Sequence, residues 1–482
     1  MKLFQTKKLN LVIAVLFPVL IFNYCKNFQK DLGNTITENN NPFKGKYNIP
    51  ADLNLPLIQN VPNFQNIDSL NLFLQNNADD FSWRSFVAIC WPSTTQGDPD
   101  TSKTFAMESE RVVFEHWMPA ARIYKKDGQV PDPWDNNLLR SRHNSNEHVL
   151  SDLRVIPKLN LFEKTEADHH MLVDQNGNPT YYQIFYNKVA YDYIMATGLY
   201  NKAGQKSFVK NWPSATQGLT IIQDSQQVNI AKKFQRAYFS IGNTVDSTFD
   251  LNGGRYYFTK HANTSIIKSA WRIITPADDR SRFYIRKVKD DNNNDIEIAL
   301  VGIHLAQKVS EATQWIWSSF EHNDNAPHCD AVGKPIIDAS VKYSYFNKNF
   351  LDTNQFNKPQ NVNSKDLLKL KPDQVVRSTP IASSTQKIND LYHNKIKSVN
   401  KNSVWLNYRL IGTQWPFDPT LFTVGGGYTP AKLANTTLES FEQKTSSCMN
   451  CHSKARFLVN DTTVARGFGY DADFIWGISN AK

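Results

Sequence analysis

The chain has 482 residues, 40% of them hydrophobic and 12% aromatic, enough to bury a sizeable core in one or two domains; this excludes disorder beyond the ends and one linker. Its 54 Lys and Arg exceed its 45 Asp and Glu by nine, but they are dispersed rather than striped, and no nucleic-acid motif accompanies them. Nucleic-acid binding is therefore excluded as the reading of the charge, which leaves a basic surface suited to acidic partner proteins or anionic lipid.

The N-terminus carries Lys2, Lys7 and Lys8 ahead of a twelve-residue apolar run at 11–22 (LVIAVLFPVLIF), which Pro18 interrupts. The run is too short for an ordinary membrane span and has the layout of an export signal, so residues 1–25 read as a signal peptide. Cys25 follows directly and, in a lipoprotein-type signal, would be the lipid anchor. The preceding Phe22-Asn23-Tyr24 departs from the usual pattern of a Leu and a small residue, and a soluble exported chain is the alternative. Residues 26–65, rich in Asn and Pro, read as a flexible tether.

A mixed α+β body is expected over 66–345. Helical spacing covers 69–77 and 80–90. Strands dominate afterwards: 179–187 follows the turn 174–178, and 281–289 pairs with 296–303 across 290–295. Both Asp/Asn-rich turns read as hairpin turns rather than calcium loops, because neither has the full ladder of oxygen ligands. Residues 346–386, where Asn, Lys, Pro and Ser accumulate, read as a linker or wrapping loop. The C-terminal region 387–482 begins with a helix at 388–399 and a strand at 404–415. The glycines of 423–433 (TVGGGYTPAKL) read as a tight turn, since no Lys-Ser/Thr follows. Thr436-Thr437-Leu438-Glu439 forms a capping box, which predicts a helix running directly into Cys448.

That helix would deliver Cys448-Met449-Asn450-Cys451-His452, a C-x-x-C-H pattern. Two thiols one helical turn apart reach both vinyl groups on one edge of a porphyrin, and the adjacent imidazole turns under the ring to the iron. Cys448 and Cys451 are then thioether anchors for one covalent haem c, and His452 is the proximal ligand. With five Cys and eleven His, chance produces the pattern in roughly one in a thousand chains of this composition. A zinc half-site or a redox C-x-x-C uses the same pair; zinc requires a second Cys or His pair, and Cys25, Cys90 and Cys329 are isolated from one another. Cys90 and Cys329 are either one disulfide or two buried free thiols.

On these residues the chain resembles the c-type cytochromes over about 430–482, and 81–92, 312–322 and 407–416 resemble segments of uncharacterised exported proteins ending in a single C-x-x-C-H. The resemblance implies an α+β fold, a strand-rich mixed body with a short helical C-terminal cytochrome c-like haem segment. It also implies an exported protein, in the periplasm or at the outer-membrane surface of a Gram-negative-type bacterium. Only 30 residues follow His452 and none is Met, so the sixth iron position is filled from upstream or left open.

His322, beside Glu321 and after Trp315 and Trp317, leads the distal candidates, and a cluster of His304, Glu321 and His322 would suit a second, non-haem metal. His328, Met107, Met118, the pair His169-His170 and the pair Glu115-His116 follow. Two functions fit: electron transfer through one haem to a redox partner protein, or a peroxidase or oxygenase type of enzyme with an open iron position beside Glu321 and His322. A sensor or assembly protein is a third.

Overall fold

Residues 298–306 (IALVGIHLA) are buried at every position, as expected of a strand covered on both faces. The computed structural model describes residues 41–50, 67–134, 162–166, 168–210, 237, 239, 247–251, 254–258, 264–290, 292–309, 312–350, 352–360, 370–416, 428–459 and 470–482. The signal segment, Cys25 and the glycines at 425–427 lie outside them. In chain order the strands are β1 (Met118–Pro119), β2 (Tyr181–Tyr186), β3 (Ser247–Leu251), β4 (Gly254–Phe258), β5 (Ser265–Ile273), β6 (Ile285–Lys289) and β7 (Asp295–Val309). There follow β8 (Ala312–His322), β9 (His328–Cys329), β10 (Pro335–Ile336), β11 (Tyr408–Pro416), β12 (Tyr428–Thr429), β13 (Arg456–Phe457) and β14 (Tyr470–Asp471). The helices are α1 (Ile67–Ile89), α2 (Ala120–Ile123), α3 (Lys188–Thr197), α4 (Lys202–Lys210), α5 (Ser383–Val399), α6 (Cys448–His452) and α7 (Trp476–Ser479).

The protein is α+β. Its centre is an antiparallel sheet in the order β1-β2-β5-β7-β8-β11-β12, with β6 paired to the first half of β7. Residues 45–482 form one compact unit. Among the described residues, no helix is long and apolar enough to cross a membrane.

The period-two alternation of β8 divides the interior into two layers. Ser318 and Phe320 face α1: the Ser82 and Ser318 hydroxyls are 2.6 Å apart, and the Phe86 and Phe320 rings stack at 4.3 Å. Trp83 joins α1 to α5, its indole N–H donating to Asn389 Oδ1 at 2.9 Å and its ring stacking on Tyr392. The opposite face carries Trp315, Trp317, Ser319 and Glu321, and the chain from 433 onward covers it. Trp315 donates to the Asp473 carbonyl (2.9 Å), Asn435 to Ser319 Oγ (3.1 Å) and Thr436 Oγ1 to Glu321 (2.7 Å).

Several expectations need correction. The helices expected at 69–77 and 80–90 are one, α1. The strand expected from 281 begins at Ile285, after a short 3-10 turn at Arg280–Arg282. Residues 404–407 form another such turn, ahead of β11. Of the two alternatives for 346–386, linker or wrapping loop, the described segment 370–382 packs on the body: Val375 N–H donates to the Tyr345 carbonyl (2.8 Å) and Arg377 is buried against Glu321. Within the expected tether, Tyr47 packs edge-on against Trp91 at 5.7 Å.

The helix expected to run into Cys448 does not form. Asn435, not Thr436, starts a single turn: its Oδ1 accepts the Thr437 N–H (2.9 Å), and Glu439 reaches back to the Asn435 N–H (2.9 Å). Ser440 and Gln443 then spend their polar groups on Glu166 and on the 376–378 strand segment, which holds the chain in turns. Tertiary hydrogen bonds here override a local helix signal.

Candidate functional site

The C-x-x-C-H pentapeptide is itself α6, a helix of five residues. So short a helix has little stability of its own and depends on its cap and its tertiary ties. Ser447 is the N-cap, its hydroxyl accepting the Asn450 N–H at 3.2 Å. Gln414 of β11 anchors the same turn: Nε2 donates to Ser447 Oγ (2.9 Å) and Oε1 accepts the Met449 N–H (2.8 Å). Met449 is fully buried in the core, Cys448 is buried and Cys451 is exposed. Both thiols are free, and burial pushes both up from the ordinary cysteine value.

His452 is held on two sides. Its Nδ1 lies 2.7 Å from the Phe474 carbonyl oxygen, which can only accept, so Nδ1 carries the proton and Nε2 presents its lone pair. Its ring lies against Trp317, with centroids 4.2 Å apart. Burial lowers the His452 pKa to about 4 against the opposing effect of the Phe474 carbonyl, so the imidazole is neutral at physiological pH. A carbonyl-bound Nδ1–H with a free neutral Nε2 is the arrangement of a metal-ligating histidine.

Around His452 the sheet presents two side-chain rows. Ile266, Ala306, Trp317 and Gln414 are register partners in one, and Lys268, His304 and Ser319 in the next. The α6 turn hangs over the first row through Trp317 and Gln414. In the second, His304 is buried and its Nε2 pairs with Glu439 Oε2 at 3.3 Å, a contact that helps hold the Glu439 carboxyl below its ordinary range. Trp317 Nε1 is buried and has no hydrogen-bond partner among the described residues. Such an atom costs free energy unless a further group satisfies it. The residues that would hold a haem are therefore His452, through its unprotonated Nε2, and two thiols, of which Cys451 is exposed and Cys448 is packed in the core.

His322 is corrected as a distal ligand. It is fully buried on the other face of β8, stacked on Phe283 at 4.0 Å. Its Nε2–H donates to the Arg282 carbonyl (2.9 Å) and its Nδ1 accepts the Asp324 N–H (3.1 Å), so no ring nitrogen is left for iron. Burial lowers it to about 4.

Glu321 points the opposite way from His322. Arg377 grips it through Nε at 2.9 Å and through Nη2, Arg409 Nη2 reaches it at 2.8 Å, and Thr436 donates to it. Burial alone would raise the carboxyl; the two guanidinium groups outweigh it and hold Glu321 at about 2. The two side chains on opposite faces cannot join His304 around one ion. No group of three or more His, Cys, Asp or Glu among the described residues is placed to hold a metal.

The weaker candidates fall elsewhere. His328 Nε2 contacts Arg409 Nη1 (2.6 Å), and His116 Nε2 lies 2.9 Å from Ser93 Oγ beside a Glu115 engaged by Tyr284. Met118 is buried in the core, Met107 is exposed, and His170 lies edge-on to Phe441. Cys90 and Cys329 are two free thiols, so the disulfide alternative falls away.

Sequence reasoning missed Gln414, Phe474, Glu439 and Lys268 as parts of the site. Only Trp317 carried a signal, through its place in an aromatic-rich strand. No family model matches the chain, and neither the curated proteins nor the solved structures hold a significant match to it.

Proposed function

We propose that the chain is an exported c-type haem protein in which one covalent haem, bonded through Cys448 and Cys451 with His452 as an iron ligand, exchanges electrons with a partner protein. The observation that carries this reading is the Phe474 carbonyl, which takes the Nδ1–H of His452 and leaves Nε2 neutral and unprotonated. The haem, when bound, supplies a one-electron iron couple. The residues supply its setting: Gln414 and Ser447 fix the turn carrying both thiols, Trp317 backs the imidazole, and Trp317 Nε1–H offers a buried polar contact. The basic balance of the chain favours an acidic partner. Export follows from the chemistry, because haem c is attached outside the bacterial cytoplasm, and the basic and apolar N-terminus fits that route. The reading places the protein in the periplasm or, with Cys25 lipidated, on a membrane surface.

The enzyme alternative loses the acid–base pair it was built on, since Glu321 is clamped by two arginines and His322 lies in the core. The test is a denaturing gel of full-length protein expressed with the haem-attachment machinery of an exporting host. Haem should stay with the polypeptide in the wild type and be lost in the Cys448→Ser, Cys451→Ser double variant. A wild-type chain that carries zinc, or no haem at all, overturns the proposal.

A further inference from the structure

The geometry points to a second site, a polar cavity that binds a small uncharged sugar. The cavity holds about 370 Å³, toward the small end of the range for ligand pockets, and shares no residue with the Cys448–His452 motif, so it stands with or without haem. Its wall comes from the Asp/Asn-rich turn at 174–178, from 272–283, and from 340–344 together with Asp324. These segments are tied to one another without any ligand: Gln175 N–H donates to the Ser344 carbonyl (2.8 Å), Ser344 N–H to the Asp324 carbonyl (2.7 Å) and Asn176 Nδ2 to Asp278 Oδ2 (3.4 Å). The site is thus largely preformed, as ligand pockets usually are.

Charge selects the ligand class. Three cations, Arg272, Arg282 and Lys342, and three carboxylates, Asp278, Asp279 and Asp324, line the cavity, so the lining carries no net charge. The cations are already paired. Arg272 Nη2 reaches both Asp278 oxygens at 3.2 Å, Arg282 Nη2 reaches Asp324 Oδ1 at 2.7 Å, and Lys342 Nζ lies 3.4 Å from Asp278 Oδ1. An anion would compete with the carboxylates for these groups, and a cation with the guanidinium groups. No set of His, Cys, Asp or Glu among the described residues is placed to hold a metal. An uncharged ligand disturbs none of the pairs.

The ion pairs leave single hydrogen-bonding atoms over. Among the described residues, Nη1 of Arg272 and of Arg282 donates to nothing, and Gln175 Oε1, Asn176 Oδ1 and Asp279 Oδ2 accept nothing. Arg272 is only 2% exposed, and the hydroxyl of Ser344, another buried lining residue, has no partner either. Buried polar groups in this condition cost free energy until something satisfies them. Donors and acceptors are open together, which suits hydroxyl groups, since each gives one hydrogen bond and takes others. Val341 and Tyr343 supply apolar wall for the C–H surface of a sugar ring.

The experiment titrates the purified full-length protein with glucose, galactose, mannose, maltose and lactose in a calorimeter. At least one sugar should bind with one-to-one stoichiometry. Asn176→Ala alters an exposed turn and Ser344→Ala deletes a hydroxyl that bonds nothing in the protein, so both should fold, as circular dichroism checks. Each should weaken that sugar about tenfold, the loss of one hydrogen bond. Asn292→Ala, on the β6–β7 turn outside the cavity, should bind as the wild type does. Sugar binding that neither cavity variant weakens overturns the site, and no binding by any sugar of the panel at millimolar concentration overturns the inference outright. Binding of inorganic phosphate or calcium that displaces the sugar and is itself weakened by Asn176→Ala assigns the cavity to an ion and overturns it as well. None of these results bears on the haem reading.

Discussion

Glu321 gathers two arginines and a threonine around one carboxylate that is wholly removed from water. A buried charge left without partners is far more costly than the pair is worth, so removing one side is the damaging change. Glu321→Gln is expected to destabilise the protein by about 3–5 kcal/mol, measured by urea unfolding, and, on the proposed reading, to leave haem attached. A loss of haem with unchanged stability would contradict this. The same residue shows what one sequence conceals. Glu321 and His322 read as an acid–base pair because they are adjacent, but adjacent residues of a strand face opposite layers. The C-x-x-C-H pattern was legible because its chemistry is local. Gln414 was not legible as its support, because its role arises only when β8 and β11 pair beneath the motif.

Elements with one strong period were readable: α5, β2 and the β6–β7 hairpin stand close to their expected places. The failed element is the helix ahead of Cys448. The capping box expected at Thr436–Glu439 does not form: Thr436 donates to Glu321, Glu439 reaches back to Asn435, and the turn ends because Ser440 and Gln443 find long-range partners. The motif helix therefore takes its stability from outside, chiefly from Gln414. Replacing Gln414 with Leu strands the buried Met449 N–H and loosens the Ser447 cap, a cost of about 1–3 kcal/mol. On the proposed reading, the expected outcome is a lower ratio of covalent haem to protein in Gln414→Leu, read from haem stain against total protein. An unchanged ratio would show that the motif organises itself without β11.

Across the molecule, burial sets opposing pH dependences. Glu166, enclosed by Ser440 and Tyr182, is pushed up to about 8, Asp373 to about 7 and Asp79 to about 6, burial being the main cause in each case. A carboxyl raised by folding stabilises the protein fully below its ordinary pKa of about 4, and that contribution is lost as pH rises through the folded value. His116, His322 and His328, lowered by burial to about 4, contribute in the other sense: their stabilisation is complete above about 6.5 and disappears as pH falls toward 4. The test isolates one group. From pH 5 to pH 8 the wild-type urea midpoint should fall relative to that of Glu166→Gln, and parallel profiles would rule Glu166 out as the source. One further consequence concerns chronology. Of the two cysteines of the motif, Cys451 is at the surface and Cys448 is buried in the core. A finished fold would admit an alkylating reagent to Cys451 and refuse it at Cys448. Haem loading, on the proposed reading, therefore belongs to the chain's youth, before its last segment has settled, and the completed protein keeps what it was given early.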